Sequence, residues 1–192
     1  WSLDYFAGIY KRVNTKFDRL YFESEVFQSG RKLVLKNLKK GIFQASQGGV
    51  IFKGEDYGLH TRVFINHEGN PTYEAKDLGL AVAKFQDFPY DLSINIFGRE
   101  IDEYYRVVKA AMVRIEPELG RKAHHIAHGM VKLPAGKMSS RSGNVITFEW
   151  LLEEAKKQAL KIMKDIDLPE SEKLLVAEKV GLGAIRYTLL KG

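Results

Sequence analysis

The sequence predicts an α/β fold: a parallel sheet with antiparallel hairpins inserted before it and a helical segment after it. Three observations carry this. Helical apolar spacing alternates with short apolar runs between residues 76 and 131. Two Gly-punctuated apolar runs precede that stretch, and helical periodicity alone fills the chain after Thr147. Helix and strand alternating at this spacing make parallel βαβ units, whereas short apolar runs joined by a Gly-containing turn make hairpins.

Taken in order, Phe17–Phe22 (FDRLYF) is rich in aromatics and reads as a strand. Ser24 is placed to cap a helix to about Lys40, with Val26, Phe27, Leu33, Leu35 and Leu38 apolar and Gly41 as its stop. Ile42–Ala45 and Val50–Phe52, separated by Gln47-Gly48-Gly49, form the hairpin, and Thr61–Asn66 is a further strand before the turn His67–Pro71. Lys76 to Phe88 is a helix, Leu92–Phe97 a buried strand, Ile101 to Ile115 a second helix and Ala123–Val131 a second strand. Thr147 then caps a helix to about Ile166. After Pro169 a last helix carries Leu174, Ala177, Gly181, Ala184 and Thr188 as a small-residue stripe suited to close backbone packing.

The 192 residues are 45% hydrophobic and 28% charged, which excludes general disorder. Without cysteine, a disulfide framework and a Cys-built zinc site are excluded. No uncharged apolar run reaches membrane-spanning length, and the first residues lack a signal-peptide pattern. The net charge of +6 suits a polyanionic partner, with Arg31, Lys32, Lys36, Lys39 and Lys40 on the early helix and Lys156, Lys157, Lys161 and Lys164 on the late one as the residues to watch. For any single one of these lysines a solvated face is the stronger reading than direct nucleic-acid contact.

The strongest local feature is Lys137-Met138-Ser139-Ser140-Arg141-Ser142-Gly143-Asn144, between an apolar strand ending near Leu133 and the apolar strand Val145–Phe148. A Gly-flanked loop with two cations, hydroxyls and backbone N–H groups suits a polyphosphate; a solvated basic turn is the plainer reading. His124, His125 and His128 form no metal site on this pattern. They have no Cys or adjacent carboxylate, and strand alternation sends His125 to the opposite face from the other two.

KMSSRSGNV resembles the KMSKS signature of class I aminoacyl-tRNA synthetases, and the chain as a whole is similar to part of the arginyl-tRNA synthetase family. Six segments carry the resemblance in the family's order: FDRLYFES, the GGVIF hairpin, TYEAKDLGLAVAKF, HGMVKL, KMSSRSGNV with TFEWLLEEA, and VGLGAIRYTLL. It implies half of a Rossmann-like parallel sheet with its antiparallel hairpin insertion near 42–73, making up residues 1–148 as the C-terminal half of the catalytic domain. Residues 149–192 are then a helical stem-contact segment leading toward an anticodon-binding domain.

The same resemblance assigns residues. Tyr73 and Asp77 match the Tyr-x-x-x-Asp that holds the arginine substrate, and four residues apart at a helix start they share one face. Glu100 stands at the position taken as the family's Gln, and Glu103 at a common His position. Gly98, at the carboxyl end of a strand, lies where a doubly wound sheet places ligands. His128, Gly129, Met130 and Val131 match the strand edge that receives adenine. Lys137 or Arg141 would neutralise charge on the leaving pyrophosphate, with Ser139 and Ser140 as donors and Met138 in the ATP loop; Ser140 occupies the usual Lys position. ATP with Mg2+, arginine and tRNA(Arg) are the implied ligands, in the cytoplasm, with no protein-bound metal, no membrane and no oligomer indicated. No residue is expected to act as a covalent nucleophile.

A HIGH motif is not found in these residues, so the 192-residue chain alone is expected not to catalyse arginine-dependent ATP–pyrophosphate exchange. Two alternatives stand beside the arginine ligase: a catalytically inactive synthetase-derived RNA- or nucleotide-binding module, and a class I synthetase for lysine, since Asp77 and Glu100 would suit either basic substrate.

Overall fold

The computed structural model describes residues 1–129 and 146–191. It divides into two compact units, Arg19–Met130 and Trp1–Asp18 with Val131–Gly192.

In the first unit, α2 (Glu23–Leu38) starts at Phe22, whose N–H donates to Glu25 Oε2 at 2.7 Å. The cap is therefore two residues earlier than Ser24, and it is made by Glu25 reaching back over the first turn. Gly41 does follow the helix with φ +74°, a conformation that costs glycine little. The expected strand at Phe17–Phe22 is not formed. Within this unit Arg19 instead meets Glu25 at 2.6 Å and Tyr21 donates to Asp87 at 2.8 Å. Aromatic content marked the segment, but no neighbouring strand among the described residues gives its backbone a ladder.

The hairpin is present as β1 (Gln44–Ser46) and β2 (Gly49–Phe52), antiparallel, with β3 (Arg62–Ile65) beside β2. The loop is two residues rather than three. Gln47 and Gly48 both have positive φ, the backbone of a hairpin turn whose twist matches its strands, and Gly49 already pairs with Ser46. Phe43, Phe52 and Phe64 are almost fully buried and meet at ring-centroid distances of 5.0 to 6.1 Å, which welds this sheet to the core under α2.

Next, α3 (Tyr73–Asp87) begins three residues before the expected Lys76, because Thr72 anchors its start. Its N–H and hydroxyl both donate to β3, to Phe64 O at 3.0 Å and Val63 O at 2.8 Å. Helices α2 and α3 cross closely, with Gly30 against the Ala75 carbonyl and Gly79 against Val26 O. Then β4 (Ser93–Gly98), α4 (Asp102–Ile115), the short α5 (Pro117–Lys122) and β5 (Ala123–His128) complete a βαβ unit. The two strands are parallel and in register from Ser93↔Ala123 to Gly98↔His128. Buried Val107, Val108, Ala111 and Met112 line the inner face of α4, as its helical period predicts. On the other face of the pair, Ile94, Ile96 and Ile126 are exposed. The strand expected to Val131 ends at His128; Gly129 is outside it, and Met130 and Val131 lie outside the described residues.

In the other unit, α1 (Ser2–Arg12), α6 (Phe148–Ile162) and α7 (Glu170–Lys191) are helices. Thr147 Oγ1 accepts from Trp150 N at 3.2 Å, the expected cap, so Phe148 opens the helix instead of ending a strand. The helix stops at Ile162, four residues short of Ile166. The buried line of α7 is Ala177, Gly181 and Ile185, so only Ala177 and Gly181 of the expected small-residue stripe lie on it. Leu174, Ala184 and Thr188 are exposed, because the buried line follows i, i+4, i+8 from Ala177. A Cβ on Gly181 would lie 3.2 Å from Lys156 N, so glycine sets how near α6 and α7 approach. Arg12 and Lys156 both pair with Glu178, at 2.8 and 3.1 Å.

Candidate active site

A cleft of about 340 Å³ opens between α3, β4 and α4, lined by Asp77, Lys84, Asn95, Phe97, Tyr104 and Tyr105 among others. Its polar groups come from α3, α4 and β4, so helix phase and strand alternation together decide what faces it.

Asp77 is half-buried and accepts a hydrogen bond from the Tyr104 hydroxyl at 2.7 Å. Burial raises its pKa above the ordinary aspartate range, while the Tyr104 bond pulls the other way. Burial and the neighbouring Asp77 charge push the Tyr104 hydroxyl far up, so it remains a donor at any physiological pH. Behind it, the Arg62 guanidinium lies 5.4 Å from the Tyr104 ring centroid and pairs with buried Glu74 at 3.2 Å. Deeper in the cleft, Lys84 Nζ donates to Ser93 Oγ at 3.0 Å and Asn95 Oδ1 at 3.3 Å. The Asn95 amide donates onward to the Tyr105 hydroxyl at 2.6 Å and to His124 O at 3.2 Å. Burial lowers the Lys84 pKa and pushes Tyr105 up to about 12.

Of the arginine-site expectations, Asp77 faces this cleft, while Tyr73 is 68% exposed with Lys76 Nζ 4.8 Å from its ring centroid. Glu100 sits exposed on the 3-10 turn that follows Gly98. Glu103 is directed to His60, 3.4 Å away. Of the nucleotide-site expectations, Gly98 and His128 are register partners at the carboxyl ends of β4 and β5. The parallel pairing thus brings together two residues 30 positions apart in the chain. Gly129 has open space where a Cβ would stand, and its carbonyl lies 2.8 Å from His128 Nδ1. Met130, Val131, Lys137, Met138, Ser139, Ser140 and Arg141 lie outside the described residues.

The histidines divide as strand alternation predicts: His124 and His128 are exposed on one face, and His125 is turned to α4. There His125 Nε2 contacts the Asp102 carboxylate, and its ring stacks on Phe97 at 5.4 Å. Among the described residues no group of three His, Cys, Asp or Glu is arranged to hold a metal ion, and no helix is long and apolar enough to cross a membrane.

Sequence reading missed Tyr104, Arg62, Lys84 and Asn95. Two of them carried a usable signal. Lys84 lies seven residues after Asp77, two turns along the same face of α3, and Tyr104 sits in the first turn of α4 just past Gly98. Arg62 and Asn95 are recognisable only once β3 and β4 are in place.

Comparison with known proteins agrees with this architecture. The family model of tRNA synthetases class I (R), catalytic domain, matches residues 3–192. The arginine–tRNA ligase of Porphyromonas gingivalis strain W83 is 34% identical over 196 aligned positions, covering 100% of this chain and 33% of that protein. That of Treponema denticola is 29% identical, with the same coverage of each. This chain therefore spans about a third of the length of the curated relatives it matches. Among solved structures, Thermus thermophilus arginyl-tRNA synthetase superposes with a TM-score of 0.73 at 24% identity, over 93% of this chain and 37% of that one. The Plasmodium falciparum arginyl-tRNA synthetase gives 0.75 at 14% identity, over 100% and 32%. These two likenesses establish the fold: mixed helix and strand, with a parallel strand pair and an antiparallel three-stranded sheet. With a family match running through nearly every residue, the chain belongs to the class I (R) tRNA synthetase catalytic domains.

Proposed function

We propose that this chain forms part of the active site of an arginine–tRNA ligase. In the first step the arginine carboxylate oxygen attacks the α-phosphorus of ATP in line and pyrophosphate leaves, giving arginyl-adenylate. In the second, a terminal ribose hydroxyl of tRNA(Arg) attacks the arginyl carbonyl and AMP leaves. The magnesium ion belongs to the nucleotide substrate, and the reaction is cytoplasmic. This chain's part is positioning and electrostatics. Asp77, with Tyr73 and Glu100 as the other arginine-binding positions, supplies negative charge for the basic substrate. Gly98, Gly129 and the His128–Val131 segment supply the strand ends on which adenine rests. Met138 and the cations Lys137 and Arg141 act on the phosphates, with Ser139 and Ser140 as donors.

The observation that supports this best is the carboxylate of Asp77, half-buried in a cleft and held at 2.7 Å by a hydroxyl that cannot itself neutralise it. Such a group is matched to a cation, and removing its charge should cost about 2–4 kcal/mol of binding, roughly 30- to 1,000-fold. The test is Asp77→Asn in the complete enzyme carrying this chain, read by arginine-dependent ATP–pyrophosphate exchange with tRNA present. The arginine KM should rise within that range while the KM for ATP stays put. An arginine KM within threefold of the parent, or exchange that depends on lysine and not arginine, overturns the assignment.

A further inference from the structure

The relay behind Asp77 has no assigned role in the reaction as described. Four side chains from three elements form it: Glu74 and Asp77 on α3, Arg62 on β3 and Tyr104 on α4. Glu74 holds Arg62 at 3.2 Å, Arg62 stands 5.4 Å from the Tyr104 ring centroid, and Tyr104 donates to Asp77 Oδ2 at 2.7 Å. Arg62 Nε is buried without a hydrogen-bond partner. That guanidinium is therefore fixed by its Glu74 contact and by the ring, not by a full set of acceptors. The phenol contacts one carboxylate oxygen of Asp77 and leaves the other for a ligand. A carboxylate with two rotamer-free oxygens would present its charge diffusely; one pinned at Oδ2 presents Oδ1 in a fixed direction.

We infer that Tyr104 is a positioning residue, braced by Arg62, that orients the Asp77 carboxylate toward the cationic group of the bound amino acid. The inference rests on the reading of Asp77 as a substrate-binding residue and adds to it a specific reason why that carboxylate is effective. Tyr104 does two things at once. It fixes geometry, and its O–H bond to the charged form offsets the desolvation that would otherwise favour the neutral acid. The other charged groups that face Asp77 are Glu74, which disfavours its charge, and Lys84, which favours it, both from α3. Removing the hydroxyl therefore moves the Asp77 pKa upward.

Tyr104→Phe keeps the ring, its packing and its contact with Arg62, and deletes only the donor. In the complete enzyme, kcat/KM for arginine should fall about ten- to hundredfold, the range for a hydrogen bond to a charged group. The acid limb of its pH profile should move to higher pH, and the KM for ATP, measured in the same assay, should stay unchanged and certify that the site is folded. In the Asp77→Asn background the same Phe substitution should add less than twofold, because Tyr104 acts through Asp77; a purely structural role would give additive losses. If Tyr104→Phe leaves kcat/KM and the acid limb in place, or its loss is fully additive with Asp77→Asn, the positioning role is refuted. Should Asp77→Asn alone leave the arginine KM untouched, the reading of Asp77 itself fails, an outcome distinct from the first. A Phe variant with a raised KM for ATP counts against positioning and in favour of a structural role.

Discussion

Gly30 and Gly183 both sit inside helices, and the structure predicts opposite outcomes when each becomes alanine. In an exposed helix interior alanine is favoured over glycine by about 1 kcal/mol, since the unfolded chain loses less freedom. Gly183, exposed on α7 with nothing within 4 Å of a built Cβ, should give that gain. Gly30 is buried where α2 crosses α3, and its Cβ would stand 2.1 Å from the Ala75 carbonyl oxygen and 2.8 Å from its carbon. Ordinary contact begins beyond 3.4 Å, so the two backbones must separate by more than an ångström. Overpacking of this kind costs about 3 kcal/mol when the obstacle is backbone and cannot swing away. Subtracting the helix-propensity gain leaves Gly30→Ala less stable by about 2 kcal/mol. Denaturant titration of the purified protein measures both substitutions on one scale. Because Ala75 is two residues from Asp77, the shift should also raise the arginine KM of the Gly30 variant and leave that of the Gly183 variant alone. A Gly30→Ala protein as stable as the parent would refute the close crossing of α2 and α3.

Two further expectations follow from charge. Arg12 and Lys156 hold the Glu178 carboxyl below the ordinary glutamate range, so its contribution is present above that range and is lost as pH falls through the depressed value. Far-UV melts of the protein should therefore show a step of acid destabilisation that Glu178→Gln abolishes; an unchanged pH profile would remove the ion pairs from the account. On α2 and at its C-cap, Lys32, Lys36 and Lys39 are exposed along one side, whereas Lys156 and Lys157 on α6 are each engaged by glutamates at 2.6 to 3.1 Å. If the α2 lysines meet tRNA phosphates, replacing those three by alanine should lower the slope of log affinity against log salt by up to about three. A slope unchanged within error would assign them to solvation and the helix dipole.

Much of the fold was legible because its signals are local. The hairpin around Gly48, the Gly41 stop, the Thr147 cap and the helical period of α4 each need only a few neighbouring residues, and each is found in the structure. Phe17–Phe22 failed for the complementary reason. Strand propensity describes a side chain's fit to a half-buried pleated surface, and this segment has no partner strand among the described residues to supply one. Leu174 failed by phase: one residue of drift along α7 moves a side chain 100° round the axis, and the buried line runs through Ile185 instead.

The sequence by itself determined the family and the order of the elements from α2 to α7 apart from the short α5, and it offered Asp77, Gly98 and His128 as candidate site positions, because such signals lie in short contiguous runs. Tertiary structure alone decided that Gly98 and His128 stand side by side, that Asp77 is held by Tyr104 27 residues away, and that Arg62 on the hairpin sheet braces that contact. Tyr73, matched by its motif, and Glu103, which stands at a common His position, turned to Lys76 and His60. The physical reason is that motif spacing fixes which residues share a helix face or a strand end. Which side chains then meet depends on the register between strands and on the close crossing of α2 and α3, and no local run of residues encodes either.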